Sequence, residues 1–128
     1  MPRKERWELP HKRDRERLVH MLVAARECTG FVAKRSRADL DTDRQLCRAV
    51  VNAIQEIGEA AARTSTPARS RVTGVPWGQI VEMRYIIIHV YWGVDLDLVW
   101  QTVTQDLPPF ISALEHTLAQ WPEENDQP

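Results

Sequence analysis

Features that would tie a protein to a membrane, a secretory route or a metal are missing from this 128-residue sequence. No apolar run approaches the 18 or so residues of a membrane-spanning helix, so no membrane partner is expected. Residues 1–17 (MPRKERWELPHKRDRER) lack the apolar core of a secretory signal, which predicts a cytoplasmic location. The two cysteines, Cys28 and Cys47, show no metal-ligand or disulfide pattern. We therefore expect reduced thiols, no metal site and no cofactor.

A strong excess of either charge is also missing. Seventeen Lys and Arg residues face eighteen Asp and Glu residues, a formal net charge of -1, so the whole protein is not a general binder of polyanions. The distribution is less even, because residues 1–17 hold seven basic and four acidic side chains, while residues 123–126 are acidic. We predict a flexible basic N-terminus at 1–13, a helical domain at 14–121 and a disordered acidic tail at 122–128.

The apolar residues recur every three or four positions, the spacing of helices with one buried face. A first helix is predicted to begin near Asp14 and to end before the polar stretch 34–39. Residues 41–43 (DTD) provide an N-cap for a second helix, which reaches Ala61. Residues 63–75 are rich in Thr, Ser, Pro and Gly, with interspersed arginines, and this composition predicts a loop.

The second half of the chain predicts two more helices. One begins at Pro76-Trp77 and continues through residues 83–93, since nothing else in the chain alternates like a strand that could pair with this run. Asp95 is a natural N-cap for the fourth helix, which Pro108-Pro109 must kink or break. The predicted fold class is all-α, an antiparallel bundle of four main helices with the last one kinked or broken.

One apolar stretch, residues 83–93 (MRYIIIHVYWG), carries an arginine, a histidine five residues later and a tyrosine two beyond that. In an α-helix Arg84 and Tyr91 share a stripe, while His89 lies roughly 140° around from Arg84 and about 7.5 Å further along. Tyr85 and His89 are four apart, so their side chains should be neighbours. The alternative interpretation is a satisfied polar network at a helix interface, because buried polar groups need partners.

A set of ordered segments carries a family resemblance. They are residues 50–61 (VVNAIQEIGEAA), 76–84 (PWGQIVEMR), 89–91 (HVY), 93–100 (GVDLDLVW) and 106–109 (DLPP). With these segments, residues 41–115 resemble HEPN-domain proteins of the HepT type, the toxin partners of minimal nucleotidyltransferase antitoxins. The R-x-x-x-x-H pattern alone is weak, but the whole set in this order is specific.

The resemblance implies a helical bundle that dimerises, with the motif helices of both subunits lining a shared cleft. It implies a metal-independent endoribonuclease of a type VII-like toxin-antitoxin pair, with Arg84 and His89 as catalytic residues. It also implies that a cognate minimal nucleotidyltransferase neutralises the toxin by adenylylating Tyr91. The chemistry agrees, since histidine can act as acid or base near neutral pH and arginine can stabilise the charge on a phosphorane while the 2′-OH of RNA attacks.

Tyr85 departs from this family pattern, because the residue after the arginine is usually small and polar. The phenol either crowds the cleft or replaces an amide hydrogen bond, so Tyr85 is a candidate cleft residue. Arg69 and Arg71 are candidate RNA contacts, with a solvated loop as the alternative. A homodimer is expected, because the apolar motif face and Trp92 exceed what one bundle can bury.

Two further residues are candidates for structural roles. Glu59 is either a surface carboxylate or a packing or dimer residue, and Asp95 is an N-cap rather than a catalytic group. The alternative function for the whole chain is a non-catalytic nucleotide-binding or regulatory subunit of a minimal nucleotidyltransferase, which would use the same cleft.

Overall fold

The computed structural model describes residues 13–85 and 95–122, and all regular secondary structure in these ranges is helical. This confirms the predicted all-α class. The elements are α1 (Asp14–Val32), α2 (Asp39–Thr42), α3 (Arg44–Arg63), α4 (Thr66–Arg71), α5 (Trp77–Glu82), a 3-10 turn (Met83–Tyr85), α6 (Leu96–Gln101), a π-helical segment (Thr102–Asp106) and α7 (Leu107–Ala119). Within these ranges no helix is both long and apolar enough to cross a membrane.

Helices α1 and α3 form the antiparallel centre of the bundle. Asp14, at the start of α1, contacts Ser65 just after α3, while Cys28 Sγ lies 3.7 Å from the Val50 carbonyl oxygen near the opposite end. Burial of each large aliphatic side chain contributes about 1.5–3 kcal/mol, so this interface and α7 supply most of the apolar stabilisation. The largest fully buried apolar side chains on these three helices are Leu18, Met21, Cys28, Val50, Ile54, Ile57, Leu107 and Leu114.

Local sequence signals account for the helix ends of this scaffold. The first helix begins at Asp14, as predicted. Asp43 caps α3, and its Oδ1 accepts a hydrogen bond from the Leu46 N–H at 3.0 Å, which confirms the N-cap in residues 41–43. Arg35 pairs with the Asp43 carboxylate at 2.8 Å, and this contact lowers the pKa of Asp43. The cap is therefore held in its charged form.

The prediction of a loop over residues 63–75 was wrong, because the structure contains α4 within it. Ser65 caps this short helix with its hydroxyl oxygen, which accepts from the Ala68 N–H at 3.3 Å, and Pro67 occupies the first turn. The buried carboxylate of Asp14 accepts hydrogen bonds from the Ser65 N–H and hydroxyl at 2.9 and 2.6 Å. A capping serine followed by a first-turn proline is a helix signal that the overall polar composition hid.

The last predicted helix is continuous but irregular. Regular α-helix ends at Gln101, the backbone widens into the π-helical segment, and α7 starts at Leu107 with the two prolines in its first turn. Pro108 and Pro109 lack an N–H, so the carbonyls of residues 104 and 105 lose their normal helical donors. The Leu107 N–H instead bonds to the Thr102 carbonyl, five residues back. The interruption predicted at the prolines therefore lies directly before them.

Candidate active site

Arg84, the predicted catalytic cation, lies in the middle of the 3-10 turn that follows α5. Its guanidinium carbon lies 4.8 Å from the centroid of the Tyr85 ring, and Nη2 donates a hydrogen bond to Tyr85 Oη at 2.8 Å. Tyr85 is 49% exposed. The predicted helix is confirmed from Trp77 onward, but it tightens at Met83, and residues 86–94 lie outside the described part of the chain.

The charge of Arg84 is not neutralised within the described ranges. No carboxylate there lies within ion-pair distance of its guanidinium. Its Nε is buried and has no hydrogen-bond acceptor among the same residues. A buried donor without a partner costs about 1–3 kcal/mol, so a native protein retains one only for a reason. Among the described residues, the acceptor that the guanidinium contacts is Tyr85 Oη.

Gly58 in α3 sets the position of Arg84. A Cβ atom built on Gly58 would lie 2.5 Å from the Arg84 backbone nitrogen and 3.1 Å from both its Cα and Cβ. Only glycine allows α3 and the 3-10 turn to approach this closely. In the same I-G-E-A segment, Glu59 was a predicted structural residue, whereas its neighbour Gly58 was not predicted. A glycine inside an otherwise regular apolar helix pattern was the signal that could have identified it.

A groove opens beside Tyr85. One wall is formed by residues 74–76, α5 and the 3-10 turn, and the other by α6, the π-helical segment and the start of α7. Its volume is about 840 Å³, and Tyr85 and Leu98 are its exposed apolar side chains. Ligand-binding pockets commonly measure about 300–1,000 Å³. The groove is therefore large enough to hold a small organic group next to Tyr85.

The groove wall formed by α6 is fixed by its N-cap. Asp95 has a left-handed backbone conformation, φ 53°, and its Oδ1 accepts from the Leu98 N–H at 3.1 Å, which confirms the predicted capping role. Asp97, in the first turn, accepts a hydrogen bond from Arg37 Nε at 2.6 Å. This contact connects α6 to the segment between α1 and α2.

The other candidate residues have contacts elsewhere in the bundle. The Arg69 carbonyl oxygen accepts a hydrogen bond from Trp77 Nε1 at 2.9 Å, and the Arg71 guanidinium stacks 4.7 Å from the centre of the Trp121 ring. Both residues are on α4 rather than on a loop. Glu59 is exposed and lines a separate polar hollow of about 330 Å³ between α1 and α3, together with Arg17, His20, Glu56 and Arg63.

Three predicted site residues, His89, Tyr91 and Trp92, lie outside the described residues. The proposed grouping of Arg84 with His89 and Tyr91 therefore stays a prediction. In residues 13–85 and 95–122 no three or more His, Cys, Asp or Glu side chains are grouped to hold a metal ion. Burial raises the pKa of the Cys28 thiol to about 12, so it is unreactive at neutral pH.

Taken together, these features define a class: an all-helical, HEPN-like bundle in which Arg84, just after a short helix, has no carboxylate partner among the described residues. The chain matches the family described as Ribonuclease HepT-like over residues 21–117 and belongs to that family. The resemblance identified from the sequence segments is thereby confirmed.

Named relatives agree with this assignment. The chain is 30% identical over 98 residues to a "Putative RNase" of Methanocaldococcus jannaschii, a match that covers 77% of this chain and 90% of that protein. It is 34% identical over 70 residues to the "Probable ribonuclease HepT" of Thermococcus cleftensis, covering 55% and 64%.

A longer M. jannaschii protein, "Gamma-glutamylcyclotransferase and putative RNase", is 34% identical over 91 residues. That match covers 71% of this chain but 41% of the relative, so the chain spans less than half of it. The comparison with solved structures found no match.

Proposed function

We propose that this protein is a metal-independent endoribonuclease and the toxin of a toxin-antitoxin pair. The observation that carries the proposal is the position of Arg84 in a chain of a ribonuclease family: its guanidinium lies against Tyr85 and has no carboxylate partner among the described residues. A fixed guanidinium can stabilise the charge that develops on the phosphorane when a 2′-OH attacks the adjacent phosphodiester. RNA is thus the substrate class, and the products carry 2′,3′-cyclic phosphate and 5′-OH ends.

The proton transfers are assigned to His89. An imidazole near its ordinary pKa can remove the proton from the 2′-OH or protonate the leaving 5′-oxygen. One histidine cannot be in both protonation states at the same time, so the second proton transfer uses water or the His89 of a second copy in a homodimer. The expected assembly is a dimer of 14.8 kDa chains.

The test of catalysis uses purified protein and labelled RNA. Arg84→Ala and His89→Ala should each lower the cleavage rate by about 10²–10⁴-fold with the helical circular dichroism unchanged. Arg26→Ala and His20→Ala are matched controls, because both side chains lie on α1, pair with Glu115 and Glu56, and should leave the rate unchanged. Cleavage that persists in His89→Ala, or that chelators abolish in the wild type, would contradict this mechanism.

Regulation is assigned to Tyr91. An AMP group on this phenol would place a phosphate and a nucleoside next to Arg84, where the guanidinium can pair with the phosphate and RNA is excluded. Coexpression with the cognate minimal nucleotidyltransferase should add AMP mass to the protein, and Tyr91→Phe should prevent it. The chain has only two tyrosines, so Tyr85→Phe is the matched control. A tight complex of the two proteins without any adduct would favour the regulatory-subunit alternative.

A further inference from the structure

We propose that the groove beside Tyr85 is a subsite for one nucleobase of the substrate RNA, and that it prefers bases with an exocyclic amino group. This inference rests on the proposed function, since it assigns the groove to the nucleotide next to the phosphate at Arg84. It concerns recognition rather than cleavage, so binding alone can test it.

Tyr85 supplies the stacking surface. Arg84 lies against the ring and holds the phenol by a hydrogen bond, so the side chain is fixed before any ligand arrives. The residue is nevertheless 49% exposed and borders the groove. An aromatic ring held rigidly and left open to solvent is suited to stacking on a base, and the adjacent guanidinium is suited to the phosphate. The ring and the guanidinium lie in direct contact, with 4.8 Å between the guanidinium carbon and the ring centroid.

Charge determines which part of the RNA enters. The described residues that line the groove include two carboxylates, Glu82 and Asp106, and no Lys or Arg. Neither carboxylate forms an ion pair within the described ranges. Phosphates are repelled from such a surface, so the backbone remains at Arg84 and only an uncharged base turns inward. Binding of any other anionic group in the groove is disfavoured for the same reason.

The same side chains determine the base preference. Carboxylates accept hydrogen bonds from base amino groups, and the amides of Gln79 and Gln101 can both donate and accept. Adenine and cytosine present an exocyclic amino group, whereas uracil presents two carbonyl oxygens around a single N–H. The groove should therefore favour adenine and cytosine over uracil.

The first experiment measures binding of fluorescein-labelled 2′-O-methyl oligoadenylate, oligocytidylate and oligouridylate, which cannot be cleaved because the attacking hydroxyl is blocked. Tyr85→Leu should weaken binding of oligoadenylate by about 10- to 100-fold, the usual effect of losing one base-stacking ring. Tyr85→Phe should retain most of the affinity. Phe31→Leu is the matched control, since it removes another exposed aromatic ring, 39% exposed on α1, outside the groove.

The second experiment removes the base instead of the ring. An oligomer that carries abasic sites should bind wild type and Tyr85→Leu equally, because the ring then has nothing to contact. In the double variant Glu82→Ala/Asp106→Ala, all three oligomers should bind more tightly. The ratio of the affinity for oligoadenylate or oligocytidylate to that for oligouridylate should fall toward one.

Three outcomes would overturn the subsite. Tyr85→Leu could bind all oligomers like the wild type, or the abasic oligomer could still distinguish the two proteins. Sedimentation could also show that Tyr85→Leu changes self-association and not RNA affinity, which would make the groove a protein interface. Failure of the proposed function looks different, because the subsite predicts the same binding pattern for a protein that never cleaves RNA.

Discussion

Two regions of this molecule are built differently. The scaffold, formed by α1, α3 and α7, has fully buried aliphatic side chains along its whole length. The site region, formed by α5, the 3-10 turn and α6, buries one apolar side chain on each α-helix, Ile80 and Val99, and leaves Tyr85 and Leu98 exposed. Stability therefore resides mainly in the scaffold, whereas the site region leaves large apolar side chains exposed.

The surroundings of the two regions also differ in whether an arginine has carboxylate partners. In the connection between the scaffold helices α1 and α3, Arg35 is bonded to two carboxylates, Asp39 and Asp43, at 3.2 and 2.8 Å. In the site region, Arg84 has a phenol as its partner and no carboxylate among the described residues. The two ion pairs therefore restrain the side chain of Arg35, whereas Arg84 has no such restraint from a carboxylate among the described residues. The two regions meet where Gly58 contacts the backbone of Arg84.

The largest expected effect is the loss of a buried side chain in the scaffold. Ile57 is fully buried, so Ile57→Ala should lower the free energy of unfolding by about 2–5 kcal/mol. The same kind of truncation in the site region, Leu98→Ala, removes a side chain that is 47% exposed. It should change the free energy of unfolding by less than about 0.5 kcal/mol. Urea unfolding of both variants measures the difference, and equal losses would show that the regions are not energetically distinct.

The sequence predicted much of the scaffold because its signals are local. Amphipathic spacing, the Asp43 cap and the Asp95 cap each depend on residues within one or two turns, and all three agree with the structure. Helix α4 was missed because the capping Ser65 and the following proline were outweighed by the composition of the surrounding residues.

The site was less predictable because its key contacts are not local. The sequence identifies Arg84 by its family segment, but the contact with Gly58 joins positions 26 residues apart, and helical periodicity contains no information about it. The predicted neighbour of Tyr85, His89, lies outside the described residues, and within them Tyr85 lies against Arg84, its neighbour in the chain. The arginine side chain is long enough to fold back over the adjacent ring. Helical spacing predicts neighbours from the positions of the Cβ atoms, so it does not include contacts made by the end of a long side chain.

The next largest effect is expected where Gly58 of α3 contacts the backbone of Arg84. Gly58→Ala should lower the free energy of unfolding by about 1–3 kcal/mol, since the new methyl group meets backbone atoms that cannot rotate away. It should also displace Arg84 and reduce RNA cleavage more than this loss of stability explains, when the rate is measured well below the unfolding temperature.

Two glycines provide controls for this change. A Cβ atom at Gly30 in α1 or at Gly78 in α5 would have no neighbour within 4 Å. Gly30→Ala and Gly78→Ala should be neutral or stabilising by up to about 1 kcal/mol, because alanine reduces the freedom of the unfolded chain. Cleavage at the wild-type rate in Gly58→Ala would show that the close approach does not position Arg84.

The smallest expected effect is a dependence of stability on pH that comes from the ion-paired carboxylates Asp39 and Asp43. The Ser36 N–H and the Arg35 guanidinium lower the pKa of Asp39, and Arg35 and the Leu46 N–H lower the pKa of Asp43. A carboxyl group whose pKa is lower in the folded than in the unfolded protein stabilises the fold above its unfolded pKa. That stabilisation is lost as the pH falls through the folded pKa, which here lies below 3.8.

Thermal unfolding midpoints should therefore drop between about pH 5 and pH 2, and Asp43→Asn should flatten this dependence. Asparagine is also a good N-cap, so the substitution removes the charge and retains the cap. Asp106→Asn is the matched control in the groove, because its carboxylate has no ion-pair partner in the described ranges. If both variants flatten the curve equally, protonation of the paired carboxylates between α1 and α3 does not explain the loss of stability in acid.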